Sequence, residues 1–156
     1  PRASAPHRRL AAIRALHEAG VPTGVLVAPV IPFLNDEEIE AILAAVADAG
    51  AEAAGYVLLR LPHEVKALFR DWLAEHYPLK AERILGVIRD ARGGQDYDAR
   101  FGQRMRGEGI FAELIAQRFR VGVKRHALNR HRRQLRTDLF VPPEKPVAEK
   151  PQMNLF

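Results

Sequence analysis

TGVLVAPVI, Thr23–Ile31, is the stretch on which the fold turns. It is short, almost continuously apolar, rich in Val and bounded by Pro and Gly. That is the pattern of a strand buried in a parallel sheet. A second such run, AAGYVLLRL, follows at Ala53–Leu61. Between them Pro32–Asn35 reads as a loop and Asn35 or Asp36 as a helix cap. Glu37, Glu38 and Glu40 sit in the first turn, where the helix dipole favours anions. Ile39, Ile42, Leu43, Val46 and Ala47 then share one helical face, and Gly50 ends it. Strand, helix, strand in such short steps predicts a right-handed crossover and a parallel sheet, an α/β fold.

Upstream, Ser4–Ala19 is expected to be a helix with Leu10, Ile13 and Leu16 as its stripe and Gly20 as its stop. Downstream of Pro62, the spacing of Val65, Leu68, Phe69, Trp72 and Leu73 predicts a third helix, broken at Pro78. Leu79–Arg92 reads as a fourth, with Ile84, Val87, Ile88 and Ala91 inward. GGQDYDARFGQRMRGEG, Gly93–Gly109, is a long glycine-rich, polar loop of the kind that is functional or disordered. Ile110–Leu128 follows as a fifth helix with Phe111, Leu114, Ile115 and Phe119 on its apolar face. Beyond Phe140 a Pro-, Glu- and Lys-rich tail is expected to be flexible and disordered. The chain therefore divides into βα units over 1–92, a glycine-rich loop with a basic helical extension over 93–140, and a tail over 141–156.

The 156 residues carry 24 Lys+Arg against 19 Asp+Glu, with 47% hydrophobic and 28% charged residues, an ordinary globular composition. The basic charge is concentrated. Eleven Arg and Lys lie between Arg100 and Arg136 against Glu108 and Glu113 alone, while the remainder is net acidic. Such segregation points to a polyanionic partner, and a solvated basic helix is the plainer alternative. Cysteine is absent, which excludes disulfides, thiolate zinc, a Cys nucleophile and iron–sulfur ligation by this chain itself. No apolar run reaches the roughly 20 residues of a membrane span, and PRASAPHRR lacks a signal-peptide core. No membrane partner and a cytoplasmic location are expected. Two buried parallel strands cannot stand alone as a sheet. With no initiating Met, the chain reads as a piece of a longer one, or as one that pairs with another chain.

Phosphate-loop, dinucleotide, zincin and nucleophile-elbow motifs are all absent. Six scattered histidines show no ligand spacing. His63 and Glu64 follow a strand end, where parallel folds place chemistry, although capping is the simpler role. Asp36, Glu37 and Glu38 are explained by the helix dipole, and Asp96 and Asp98 by ion pairing with neighbouring arginines.

Three phrases in order carry a resemblance: AGVPTGVLVAPVIPFLND, AGAEAAGYVLLRLPHEVKALFRDWL and RGGQDYDARFGQRMRGEG. Together they resemble the C-terminal half of a radical S-adenosylmethionine protein of the family related to spore photoproduct lyase, the DNA-repair photolyase-like proteins. The resemblance spans Pro1 to about Phe140. It implies the C-terminal part of a partial (βα)₆ TIM-like barrel, here two parallel strands with flanking helices. It also implies a lyase-type or repair radical chemistry with S-adenosylmethionine and a 4Fe-4S cluster as cofactors. The family's C-x-x-x-C-x-x-C cluster motif lies in its N-terminal half and has no counterpart here. The cluster ligands and the N-terminal half of the barrel thus become missing partners, and this chain alone is expected to be inactive.

Within the resemblance, Pro29, Val30, Pro32, Asn35, Leu59 and Arg60 are expected to form an S-adenosylmethionine wall at the strand ends. Arg60 suits a carboxylate or phosphate, or equally a strand-end salt bridge. Tyr97, Arg100, Phe101, Arg104 and Arg106 would clamp a substrate phosphate or stack on a base. Arg130, Arg132 and Arg133 would meet nucleic acid. QMNLF at the C-terminus resembles the peptide that binds the bacterial β sliding clamp. Gln152, Leu155 and Phe156 match it, and docking of the tail on its own domain is the alternative. Two functions remain open on the sequence. One is a fragment of a radical S-adenosylmethionine enzyme acting on or targeted to nucleic acid. The other is a non-catalytic basic nucleic-acid-binding or sliding-clamp adaptor module.

Overall fold

The structure is a computed structural model that describes residues 3–95, 97, 99, 101, 103–131 and 137–143. Five helices and two strands occur among them, in the order α1 (Pro6–Glu18), β1 (Gly24–Val30), α2 (Ile39–Asp48), β2 (Ala53–Leu58), α3 (Val65–His76), α4 (Ala81–Asp90) and α5 (Gly109–Arg125). The strands pair in parallel, from Gly24 beside Ala53 to Val30 beside Leu58. The register slips between Val27 and Val30, where Pro29 can donate no ladder hydrogen bond and the Ala28–Pro29 peptide is cis.

Two hydrophobic clusters divide the work. The first lies between one face of the sheet and the pair α2 and α5. It joins Val30, Tyr56 and Leu58 from the strands to Ile39, Leu43, Val46, Ile115 and Phe119. Gly122 lets α5 approach α2, because a Cβ there would lie 2.5 Å from the Leu43 Cδ1. The second cluster caps the carboxyl ends of the strands. There Leu59 and Leu61 pack on Leu73 of α3 and on Ile84, Leu85 and Ile88 of α4.

On the opposite face, β1 is exposed and β2 half-buried among the described residues. Gly24, Leu26 and Ala28 are exposed, Leu26 by 63% of its surface. The expectation that Thr23–Ile31 is a buried strand therefore holds for its position and parallel pairing but not for its burial. The edges are unequal too. Asn129 lies across the outer edge of β2, its Oδ1 accepting from Ala54 N and its Nδ2 donating to Ala54 O, both at 2.9 Å. Further along, Leu58 N donates to Met105 O at 2.8 Å. Among the described residues, no strand lies along the other side of β1.

Local expectations need four corrections. Neither Asn35 nor Asp36 caps α2; Asp36–Glu38 forms a 3-10 turn that leads into it. Asn35 instead braces the end of β1, accepting from Ile31 N at 2.7 Å and donating to Pro29 O at 3.0 Å. On α4 the buried positions are Ile84, Leu85 and Ile88, with Val87 only half-buried. On α5 they are Ala112, Ile115, Phe119 and Gly122, so that Leu114 faces out, and the helix stops at Arg125. Most of the tail, from residue 144 on, lies outside the described residues.

An ion pair fastens α5 to α2. Arg118 donates through Nε and Nη2 to the two carboxylate oxygens of Glu40, at 2.8 and 2.7 Å, and reaches Asp36 at 3.4 Å. The bond from Arg118 holds the Glu40 carboxyl below its ordinary 4.5 despite some burial. A native value below the unfolded one stabilises the fold at pH above the unfolded value and is lost as pH falls through the lowered one. Glu40 is 41% exposed, so the pair contributes about 0.5–1 kcal/mol after solvent screening. Glu40→Gln should lower urea stability by that amount near neutral pH, and the gap should close on acidification. A gap that stays constant with pH contradicts the pairing.

Candidate functional site

Parallel sheets carry their chemistry beyond the carboxyl ends of the strands. Here that region is organised by Arg92, just past the end of α4 and only 3% exposed. Its Nη2 donates to Leu59 O at 2.9 Å and Leu58 O at 3.4 Å, and its Nη1 to Gln103 O at 2.9 Å. One guanidinium thus ties the last residues of β2 to the loop that returns past them. Gly107 completes the junction with φ +73, and a Cβ there would sit 3.0 Å from both Ala91 O and the Leu58 Cδ2. Only glycine fits both the turn and the close approach.

The expected site residues fall into separate groups. Arg60 and Tyr97 come together: Arg60 Nη2 donates to the Tyr97 hydroxyl at 2.9 Å, and the guanidinium lies 5.7 Å from the ring centre. Met105 Sδ lies 3.9 Å from Arg60 Nη1. Pro29 is exposed, whereas Val30, Pro32 and Leu59 are buried, and the Asn35 amide is engaged by the backbone. Of the six wall residues, Pro29 and Arg60 therefore keep surface for a ligand. Phe101 is 91% exposed with Arg104 over its ring at 5.4 Å. Arg106 lies elsewhere, 5.7 Å from the ring of Tyr56 on the α5 side. Burial raises the Tyr56 hydroxyl above its ordinary value, with Arg106 and Arg120 pulling the other way. Arg130 is exposed; Arg100, Arg132, Arg133, Gln152, Leu155 and Phe156 lie outside the described residues. Asp96 and Asp98 lie outside them as well.

Arg92, Asn129 and Arg118 are the residues that sequence reasoning missed. Arg92 had only one local sign, its place before Gly93 and Gly94 at the end of an amphipathic helix. Asn129 and the Arg118–Glu40 pair join positions far apart in the chain and carry no local sign at all. No group of three or more His, Cys, Asp or Glu able to hold a metal occurs among the described residues. With no cysteine in the chain, the residues present do not fit an iron–sulfur cluster. No described helix is long and apolar enough to cross a membrane.

Comparison with known proteins places the chain beside relatives of undetermined role. It is 39% identical over 86 residues to uncharacterized proteins of Mycobacterium bovis and of two Mycobacterium tuberculosis strains. The match takes in 54% of this chain and 25% of each relative, so the chain spans about a quarter of their length. No family model matches, and no solved structure matches.

Removing the Arg92 fork would leave the buried carbonyls of Leu58 and Leu59 without their donor, while Gln103 O keeps the N–H groups of Arg106 and Gly107. Arg92→Met should cost about 2–4 kcal/mol in urea unfolding, and Arg92→Lys less, because one ammonium can satisfy part of the set. Proteolysis within 93–107 should accelerate in both variants. Unchanged stability in Arg92→Met contradicts the assignment.

Proposed function

We propose that the chain is the C-terminal part of a radical S-adenosylmethionine enzyme related to spore photoproduct lyase, acting on or targeted to nucleic acid. The observation that carries this is the one-sided sheet. Helices cover one face of its two parallel strands, β1 is exposed on the other, an amide lies across the outer edge of β2, and among the described residues no strand lies beyond β1. A parallel sheet is stable when both faces and its pairing edges are filled. A partial barrel that continues past β1 fills the edge and turns the exposed face of β1, with Leu26, inward.

In the whole protein, S-adenosylmethionine on a 4Fe-4S cluster would supply a radical able to abstract hydrogen from a substrate. This chain would hold part of the wall and the substrate-facing loops; the iron ligands would come from elsewhere. The complete protein should be prepared without air, its iron and sulfide restored, and offered S-adenosylmethionine with a reductant. The proposal expects 5′-deoxyadenosine and methionine. A complete reading frame with no cysteine triplet, or a loaded cluster that cleaves nothing, overturns it.

One further observation favours a nucleic-acid target, and would serve the adaptor alternative equally. Arg120, Lys124, Arg125 and Arg130 are all exposed along and just beyond the last turns of α5. If they meet phosphates, affinity for a single-stranded DNA oligomer should fall steeply with salt as counterions are released. Replacing all four with Ala should reduce the logarithmic slope by about 2–3. No binding at low ionic strength removes nucleic acid from the partners. The sliding clamp stays a proposed partner through Gln152, Leu155 and Phe156, tested by titrating the tail peptide into clamp.

A further inference from the structure

A cavity of about 350 Å³ opens beside Tyr97 at the carboxyl end of the sheet. Lys66 from the first turn of α3 and Arg89 from the last turn of α4 line it, with Gly94, Gln95 and Tyr97 from the segment beyond. Among the described residues every side chain in that lining is polar, and both formal charges are positive. Gly94 takes φ +85 and spends its N–H on Arg89 O at 2.8 Å, so the donors facing the cavity come chiefly from side chains.

Arg60 stands behind this lining. It donates to the Tyr97 hydroxyl at 2.9 Å, and its buried Nε has no hydrogen-bond partner among the described residues. A phenol oxygen that accepts from a guanidinium keeps its own proton to donate, and the bond it receives strengthens the one it gives. The result is a pocket with an ammonium, a guanidinium and a polarised phenol around one space. Donors from three directions match a tetrahedral oxyanion with several acceptor oxygens; a planar carboxylate is satisfied by a single fork.

We infer that this cavity binds phosphate, as the phosphoryl group of a small organic phosphate. Its position beyond the carboxyl end of a parallel strand is where open α/β sheets hold their ligands. The site stands on residues of this chain alone. It is independent of the radical chemistry proposed above, and either can fail without the other.

The test uses the chain as it is, in calorimetric titrations with inorganic phosphate, adenosine monophosphate and acetate at matched ionic strength. Saturable phosphate binding at millimolar or tighter affinity is expected, with acetate at least about 10-fold weaker. Tighter binding of the nucleotide identifies an organic phosphate as the natural form, and equal binding assigns the site to the phosphoryl group alone. Tyr97→Phe and Lys66→Gln should each weaken phosphate by about 5- to 10-fold, with the circular dichroism spectrum unchanged. Lys124→Gln, on the exposed end of α5, should have no effect. Should Tyr97→Phe fail to fold, Lys66→Gln on the open rim decides alone. No saturable binding below about 20 mM overturns the inference, as does acetate equal to phosphate. Equal losses in Lys66→Gln and Lys124→Gln overturn it too, since they describe a diffuse basic surface.

Discussion

Buried carbonyl oxygens at the end of β2 need donors, and Arg92 meets that need. When β2 ends at Leu58, its last carbonyls leave the ladder at a place sealed from water by α3 and α4. An unsatisfied buried carbonyl costs on the order of 1–3 kcal/mol. The planar fork of Arg92 reaches Leu58 and Leu59 with one nitrogen and Gln103 with the other. Lysine has no fork with which to do both. This junction places the described residues that follow it as far as the start of α5. The segment after α4 is turned back beside β2, Met105 O comes to Leu58 N, and α5 starts from a fixed point over the sheet.

The same economy operates at the strand edges, where side-chain amides stand in for absent strands. Asn129 gives Ala54 both partners that a neighbouring strand would give, and Asn35 spans Pro29 O and Ile31 N at the far end of β1. An amide suits this role because it carries a donor and an acceptor at the spacing of a peptide group. Asn129 also takes φ +59, a conformation that asparagine tolerates better than most residues. The two substitutions are not equivalent. The one at β2 lies near the start of the strand and works with Met105 O near its end, so the outer edge is held at both ends. The one at β1 touches only the last residues and leaves Gly24–Ala28 with β2 as their sole strand neighbour among the described residues.

How much of this was legible in the sequence depended on range. The strands at Thr23–Ile31 and Ala53–Leu61, their parallel pairing and all five helices follow from local periodicity, and the structure has each of them in place. Burial was harder to read. Leu26 has the side chain of a core residue, yet whether it is covered depends on a neighbour that no local pattern describes. The face of α5 was misjudged for a related reason: Ala112 and Gly122 are buried because α2 comes close, and small residues give no hydrophobic signal. At the candidate site, the sequence assigns Arg60 to the cofactor wall and Tyr97 to the substrate clamp, and no local signal says that the two meet. Their hydrogen bond depends on the path of the loop after α4, which Arg92 sets.

The charges show how far composition can mislead. Counted along the chain, Arg118 belongs to the basic run and Asp36 to an acidic trio explained by a helix dipole. In space they face each other, and Glu40 closes the fork. Arg106 and Arg120 converge on Tyr56 instead of on the loop cluster. Among its described residues the basic region thus includes an ion pair that joins two helices, cations beside a buried phenol, and an exposed row at the end of α5. The polar cavity beside Tyr97 draws its charge from Lys66 and Arg89, which lie outside that run altogether. The proposed attraction for an extended polyanion and the proposed recognition of a phosphoryl group therefore draw on different residues, and each can be altered without the other.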